Sequence, residues 1–419
     1  MAIFQYAVIS SILHDEPQKK QLLSVFEDKL QRFGGELHTL ESNMIHPRNS
    51  ELPLFMLVLT GGTESEAMSL ISRERMLDLR MPIVLLAHPS HNSLPACLEI
   101  LAKVKQEGGK GLILQADSSG AFDAEELEDI IAVCKSRITM RSCQIGVIGR
   151  PSDWLIASSQ DLHAAMNSWG VRLVEIPLEE LVRNIEEIRS SSCGVPVIED
   201  FQEKAEFYAE SSNDDILKSI QILQALRILV DKYRLSSLTL RCFDLILKDR
   251  STGCLALSQL ADEGIDAGCE GDIPSIIGLS WIRSLTGQIG WMANPSHIIA
   301  KKGEDSAEML IAHCTAPRSI LSRYALRSHF ESGLGVAISG ILPKEEVTLF
   351  RIGGKYLDKL WYSPARIIAS PRDEGLCRTQ ALINLPNEKA QELLINPLGN
   401  HIVMVRGNWT RRISISAQL

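Results

Sequence analysis

The most constraining feature of this sequence is a pair of unbroken apolar runs, LFMLVLT (54–60) and PIVLLAH (82–88). A strand that is apolar on both faces has to be covered on both faces, and the usual cover is a layer of helices on each side of a parallel sheet. The flanking segments supply those helices. Residues 17–33 carry apolar positions at helical spacing and stop at Gly34-Gly35, and a helix is expected near 64–77. LPACLEILAKVKQ (94–106) is a further helix, ended by Gly108-Gly109. FQYAVIS (4–10) and GLILQ (111–115) read as additional strands.

The same pattern restarts at QIGVIG (144–149), where Pro151-Ser152-Asp153 is a turn leading into a helix. VRLVEIP (171–177) is a strand, helices follow at 178–189 and roughly 200–233, and SLTLRCFDLIL (237–247) begins as a strand. After about residue 325 the texture changes. VTLFRIG, ARIIAS, TQALINL, HIVMVRGNW and RRISIS read as short alternating strands, with one helix at about 387–395. The expected fold class is therefore α/β. Two parallel-sheet domains (1–142 and 143–325) are followed by a smaller antiparallel, barrel-like β domain (326–419).

Composition narrows the function classes. Of 419 residues, 45% are hydrophobic and 23% charged, which excludes a disordered or collagen-like chain. The net charge of -9, with no basic run longer than a pair such as Lys301-Lys302 or Arg411-Arg412, argues against a nucleic-acid partner. No apolar stretch approaches the ~18 residues of a membrane span. The N-terminal segment MAIFQYAVISSILHDEP lacks a basic leader, and the nine cysteines contain no C-x-x-C pair. A reduced, cytoplasmic, enzyme-sized protein is the expectation.

Several motifs could carry chemistry. GVIGRPSD (146–153) is not the G-x-G-x-x-G dinucleotide fingerprint, and LTGGTESE (59–66) has no lysine to cradle phosphate; both read as turns. His88, His91 and Asn92 lie in a loop at the C-terminal end of a buried strand, either as site residues at the sheet edge where open α/β folds bind ligands or as a solvated loop. DEGIDAGCEGDIPSIIGLSWIRSL (262–285) holds five carboxylates within eleven residues. Asp272, two residues before Pro274, reads as a helix N-cap. Glu270 lies in a tight Gly-flanked loop, where a carboxylate either faces a pocket or merely borders the helix. His313 in MLIAHCTAP and His401 in PLGNHIVMVRGNW stand at strand ends, as core histidines or as ligands. Glu270, His313 and His401 are all residue types that bind divalent metal.

Through LTGGTE, AHPSHNSLPACLEI, IGVIGRPSDWLIAS, CFDLIL, DEGIDAGCEGDIPS, IAHCTAP, SHFESGLGVAISG, LCRTQALI and GNHIVMVRG, the chain resembles the short members of the L-fucose isomerase and L-arabinose isomerase superfamily. The resemblance implies an aldose–ketose isomerase working through an enediol with a divalent cation, typically manganese. It implies Glu270, His313 and His401 as metal ligands, with a second carboxylate about two dozen residues after Glu270. Trp291-Met292-Ala293-Asn294 stands there instead, so Asn294 takes the matching ligand and catalytic position without the charge, and Glu270 is the remaining catalytic carboxylate. His91, Asn92, Asp272 and Arg378 are the implied substrate-binding residues. A sugar is the implied partner, and the implied assembly is a homo-oligomer, a trimer or hexamer. A carbohydrate-binding or regulatory homologue that has lost the isomerase chemistry is the alternative, as is another reaction on an enolisable sugar.

Overall fold

Apolar strands that need two covering layers dictate the first half of the architecture. A computed structural model describes residues 2–38, 51–77, 80–160, 162–190, 210–300 and 303–419. Two units divide the chain: Met1–Thr139 with Arg411–Leu419, and Met140–Thr410.

In the first unit, β1 (Phe4–Ile9), β2 (Gly35–Leu37), β3 (Leu54–Val58), β4 (Ile83–Ala87) and β5 (Gly111–Gln115) form a parallel sheet of order β2-β1-β3-β4-β5. β3 and β4, the two unbroken apolar runs, are buried along their whole length. The crossovers include α1 (Glu16–Arg32), α2 (Glu64–Arg73) and α3 (Ser93–Gln106), and α4 (Ala124–Ser142) follows β5. Asp15 starts α1 with a capping box, its carboxylate accepting from the Gln18 amide while Gln18 reaches back to the Asp15 amide.

The second unit opens with a four-stranded parallel sheet of order β7-β6-β8-β9. Its strands are β6 (Gln144–Ile148), β7 (Arg172–Ile176), β8 (Ser237–Leu240) and β9 (Asp266–Cys269). The helices around it are α5 (Leu162–Trp169), α6 (Leu178–Ser190), α7 (Asn213–Tyr233), α8 (Cys242–Asp249), α9 (Cys254–Asp262) and α10 (Ile273–Thr286). The turn at Pro151 does not lead directly into a helix; bends and turns fill 151–160, and α5 begins at Leu162. The expected helical stretch from 200 is described from Asn213 onward, and 200–209 lie outside the described residues.

The antiparallel part is a closed six-stranded barrel of order β10-β11-β16-β15-β14-β17. It comprises β10 (Gly290–Ile299), β11 (Ser306–His313), β14 (Glu346–Gly353), β15 (Lys359–Ala369), β16 (Thr379–Pro386) and β17 (Ile402–Arg406). A separate hairpin pairs β12 (Arg323–Arg327) with β13 (Ala337–Ile341), and α11 (Asn387–Ile395) follows β16. The barrel thus draws its first two strands from upstream of residue 326. Pro295 and a register shift between Pro295 and His297 interrupt the pairing of β10 with β11, and they blur its alternation in the sequence. Trp291, Ala293, Met309, Ile311, Leu349 and Met404 fill the interior. α10 packs on the outside, where Trp281 meets Phe350 edge-on at 5.3 Å.

One expected strand is a helix. RRISIS falls within α12 (Thr410–Gln418). Its period-two pattern covers six residues, too few to tell a strand from a helical turn. The Asn408 side chain accepts from the Thr410 amide at the helix start, and Arg411 and Arg412 pair with Asp129. Among the described residues, no helix is long and apolar enough to cross a membrane.

Candidate metal centre

β9 ends at Cys269, and the next residue carries the site. In a parallel α/β sheet the loops beyond the C-terminal strand ends are where ligands bind. Glu270 has φ +62, in the left-handed region that non-glycine residues seldom occupy, at a cost of order 1–3 kcal/mol. The surroundings hold it there. Its carbonyl accepts from the Ser152 amide at 2.9 Å. Gly271, at φ +72, has no room for a side chain: a Cβ would lie 2.7 Å from Pro151 Cα. This backbone places the Glu270 carboxylate against two histidines from the barrel.

Donor atoms of Glu270, His313 and His401 all lie within 4.8 Å of one another, and all three residues are buried. His401 Nε2 is 3.4 Å from Glu270 Oε1. The two imidazoles meet nearly edge-on, with centroids 5.5 Å apart. Glu270 Oε2 accepts from the indole N–H of Trp154 at 2.7 Å. His313 Nδ1 is hydrogen-bonded to Thr315 Oγ1 at 2.8 Å, which leaves its Nε2 for the cluster.

Behind His401 stands a buried carboxylate. Asp272 Oδ2 lies 2.9 Å from His401 Nδ1, and Asp272 is wholly buried. As expected from the sequence, Asp272 caps α10: Oδ1 accepts from the Ser275 amide at 2.7 Å. It also faces Arg351 of β14, with both guanidinium nitrogens 3.2 Å from its two oxygens. Arg351 is completed by Ser275 Oγ and Ser158 Oγ, each at 2.6 Å. Gly399 makes room for it, because a Cβ there would meet the guanidinium at 2.5 Å. A buried ion pair needs this full hydrogen bonding to offset its lost hydration.

The charges settle accordingly. Burial pushes the Glu270 carboxyl up, but His401, His313 and the Trp154 N–H outweigh it and hold the pKa down at about 2. Burial also opposes the charge on Asp272, and Arg351 and His401 keep it well below the usual carboxylate range. Burial disfavours an imidazolium at His401, yet Asp272 and Glu270 raise it to about 9. His313 goes the other way: burial and the neighbouring His401 push it down to about 3, so it is neutral.

These residues suit a divalent cation. One carboxylate and two imidazoles are a familiar ligand set for borderline metals, with positions left for substrate oxygens. His401 Nε2 is a buried polar atom with no hydrogen-bond partner, and it points at Glu270. The Asp272 contact to Nδ1 is the outer hydrogen bond that orients metal-binding histidines.

Asn294 is a half-buried residue of β10, opposite Ala312 of β11. Asp272 has no exposed surface, and its oxygens are engaged by Arg351 and His401. Arg378 bonds the Ser328 carbonyl and pairs with Glu210 and Glu374. His91 and Asn92 belong to the first unit, in consecutive left-handed conformations at the start of α3. Trp154, Ser158 and Arg351 went unnoticed in the sequence. The available signals were an arginine inside the otherwise apolar VTLFRIG and a tryptophan just after the GRPSD turn. The eight described cysteines carry no disulfide, although Cys242 and Cys269 place their sulfurs 2.9 Å apart beside the site loop.

No family model matches the chain. Over 235 residues it is 24% identical to a sulfoquinovose isomerase from Alkalicoccus urumqiensis, covering 55% of this chain and 52% of that protein. Over 234 residues it is 23% identical to a sulfoquinovose isomerase from Priestia aryabhattai and to one from Priestia megaterium, covering 54% of this chain and 51% of each of those proteins. The chain spans about half the length of the curated relatives it matches.

Proposed function

We propose that this protein is a metal-dependent sugar isomerase that interconverts an aldose and a ketose through an enediol. The observation that carries this reading is the buried Glu270–His313–His401 cluster, with Asp272 fixing His401 and Trp154 fixing Glu270. The names of the distant relatives point the same way. Glu270, His313 and His401 would hold the cation, manganese being the family expectation, and a bound cation polarises the carbonyl and hydroxyl oxygens of a sugar. The protein's own part is to keep one anionic oxygen at the reacting end of the sugar. Glu270, ionised at any ordinary pH, accepts a hydrogen bond from a sugar hydroxyl there. A trimer or hexamer and a cytoplasmic location go with this reading.

A carbohydrate-binding homologue without turnover is the second reading. It is favoured by Ala293 and Asn294, the neutral residues where the resembled family places its second carboxylate. Turnover by manganese-loaded protein on sulfoquinovose, L-fucose and L-arabinose decides between them. Product with any of these supports the isomerase; sugar binding without product supports the second reading.

A further inference from the structure

We propose that His329 is the proton-transfer residue of this site, carrying a proton between C2 and C1 of the sugar while Glu270 holds the hydroxyl; the proposal rests on the isomerase reading above. His329 follows β12, and a tight loop anchors it. Its amide donates to the Leu334 carbonyl and its carbonyl accepts from the Gly333 amide, both at 2.9 Å. Its ring continues a wall that starts at Glu270. Trp154 donates to Glu270, meets Phe243 edge-on at 4.9 Å, and Phe243 meets His329 edge-on at 5.7 Å. Trp154 is half-exposed, so this wall has a face to offer a ligand.

The two nitrogens of His329 differ. Nδ1 is held by Ser332 Oγ at 3.1 Å. Nε2 has no hydrogen-bond partner among the described residues and is not sealed from solvent. An imidazole with one nitrogen anchored and the other open is arranged to exchange a proton with a ligand. The charged and titratable groups that bear on it are Arg378, Glu270 and His313. Burial and Arg378 outweigh Glu270 and lower its pKa, so the ring is neutral and able to accept a proton at neutral pH.

The step balances within the sugar. Nε2 takes the proton from C2, the C2–H electron pair becomes the C1–C2 double bond, and the carbonyl π pair moves to O1. The O2 proton passes to O1 while Glu270 accepts a hydrogen bond from that hydroxyl. The O2 pair then forms the C2 carbonyl, and C1 takes the proton back from Nε2. C1 is reduced and C2 oxidised, with no outside oxidant.

The test is His329→Gln and His329→Ala in manganese-loaded protein, assayed on sulfoquinovose, L-fucose and L-arabinose. We expect kcat to fall about 10²–10⁴-fold, with KM and manganese affinity within a few-fold of wild type. The acidic limb of the kcat profile should disappear in His329→Gln. Added imidazole should restore part of the turnover of His329→Ala and none of that of Glu270→Gln. Wild-type turnover with a His329→Gln variant of equal kcat overturns the proposal and leaves the isomerase reading standing. A variant that loses manganese together with activity, beyond rescue by imidazole, marks His329 as structural and also overturns it. A wild type inactive on all three sugars removes the isomerase reading and this role with it.

Discussion

Asp272 Oδ2 stands 2.9 Å from His401 Nδ1, and this contact decides that His401 Nε2 faces Glu270. The same carboxylate caps α10 and neutralises Arg351. One buried group thus connects a helix start, a barrel strand and the candidate ligand, so the site and the fold share their supports.

Glu270→Gln should remove the one anionic group of the three-residue cluster and leave the fold intact. Manganese affinity should fall by at least the roughly 10–100-fold seen when only an outer partner is lost. In wild type, a chelator should lower the melting temperature and manganese should raise it, because a ligand that binds only the folded state stabilises it. Calorimetric titration and melting curves check this; unchanged manganese binding in the variant would remove Glu270 from the ligand set.

Asp272→Asn should be far more damaging to the fold. It leaves the buried Arg351 guanidinium without its counter-charge, and breaking a buried pair from one side costs about 3–5 kcal/mol. Urea unfolding of metal-free protein measures it. A cost below about 1 kcal/mol would mean that Ser158 and Ser275 satisfy Arg351 unaided.

The pKa shifts set a pH window for the metal-free protein. His401 is raised from 6.5 to about 9, so its contribution is complete below about 6.5 and is lost as pH rises through about 9. Glu270 is lowered from 4.5 to about 2, so its contribution is present above about 4.5 and is lost as pH falls through about 2. Urea unfolding should therefore show lower stability at pH 9.5 than at pH 6 (roughly the window set by these shifts). Replacing His401 by Asn should flatten the alkaline loss. Manganese competes with the proton on Nε2, so binding should tighten as pH rises towards about 9 and release about one proton. Titration in buffers of different ionisation enthalpy counts that proton.

Asn294→Asp tests the fourth position. If Asn294 matches the family's second carboxylate, the added charge should tighten manganese binding, since hard cations favour anionic oxygen. Weaker or equal binding by the variant would show that this half-buried residue of β10 is not at the ligand position.

Much of the fold was open to reading because burial leaves a local trace. β3 and β4 are apolar at every position, and α11 coincides with the helix expected at 387–395. Glu270, His313 and His401 could be picked out individually, each by residue type at the end of an element. Their supports could not. The partners of Trp154, Arg351 and Ser158 lie 116, 79 and 193 residues away, and nothing local marks such pairings. β10 was hidden by Pro295 and the register shift beside it, and α12 by a pattern too short to separate two periods.

The closed barrel makes the spacing of the two imidazoles a matter of counting. His313 ends β11, His401 immediately precedes β17, and β10 lies between these strands and bonds to both. Sliding one strand by a residue turns its side chains to the opposite face. In a closed ring such a slip has to be undone at another seam, because the total stagger is fixed by closure. The distance between the histidines is therefore stored in the ladder of the whole ring, not in the loops near the cluster. Insertions in the connections that do not carry His401 leave it untouched, while a single residue added within β10 or β17 would displace one imidazole from the other.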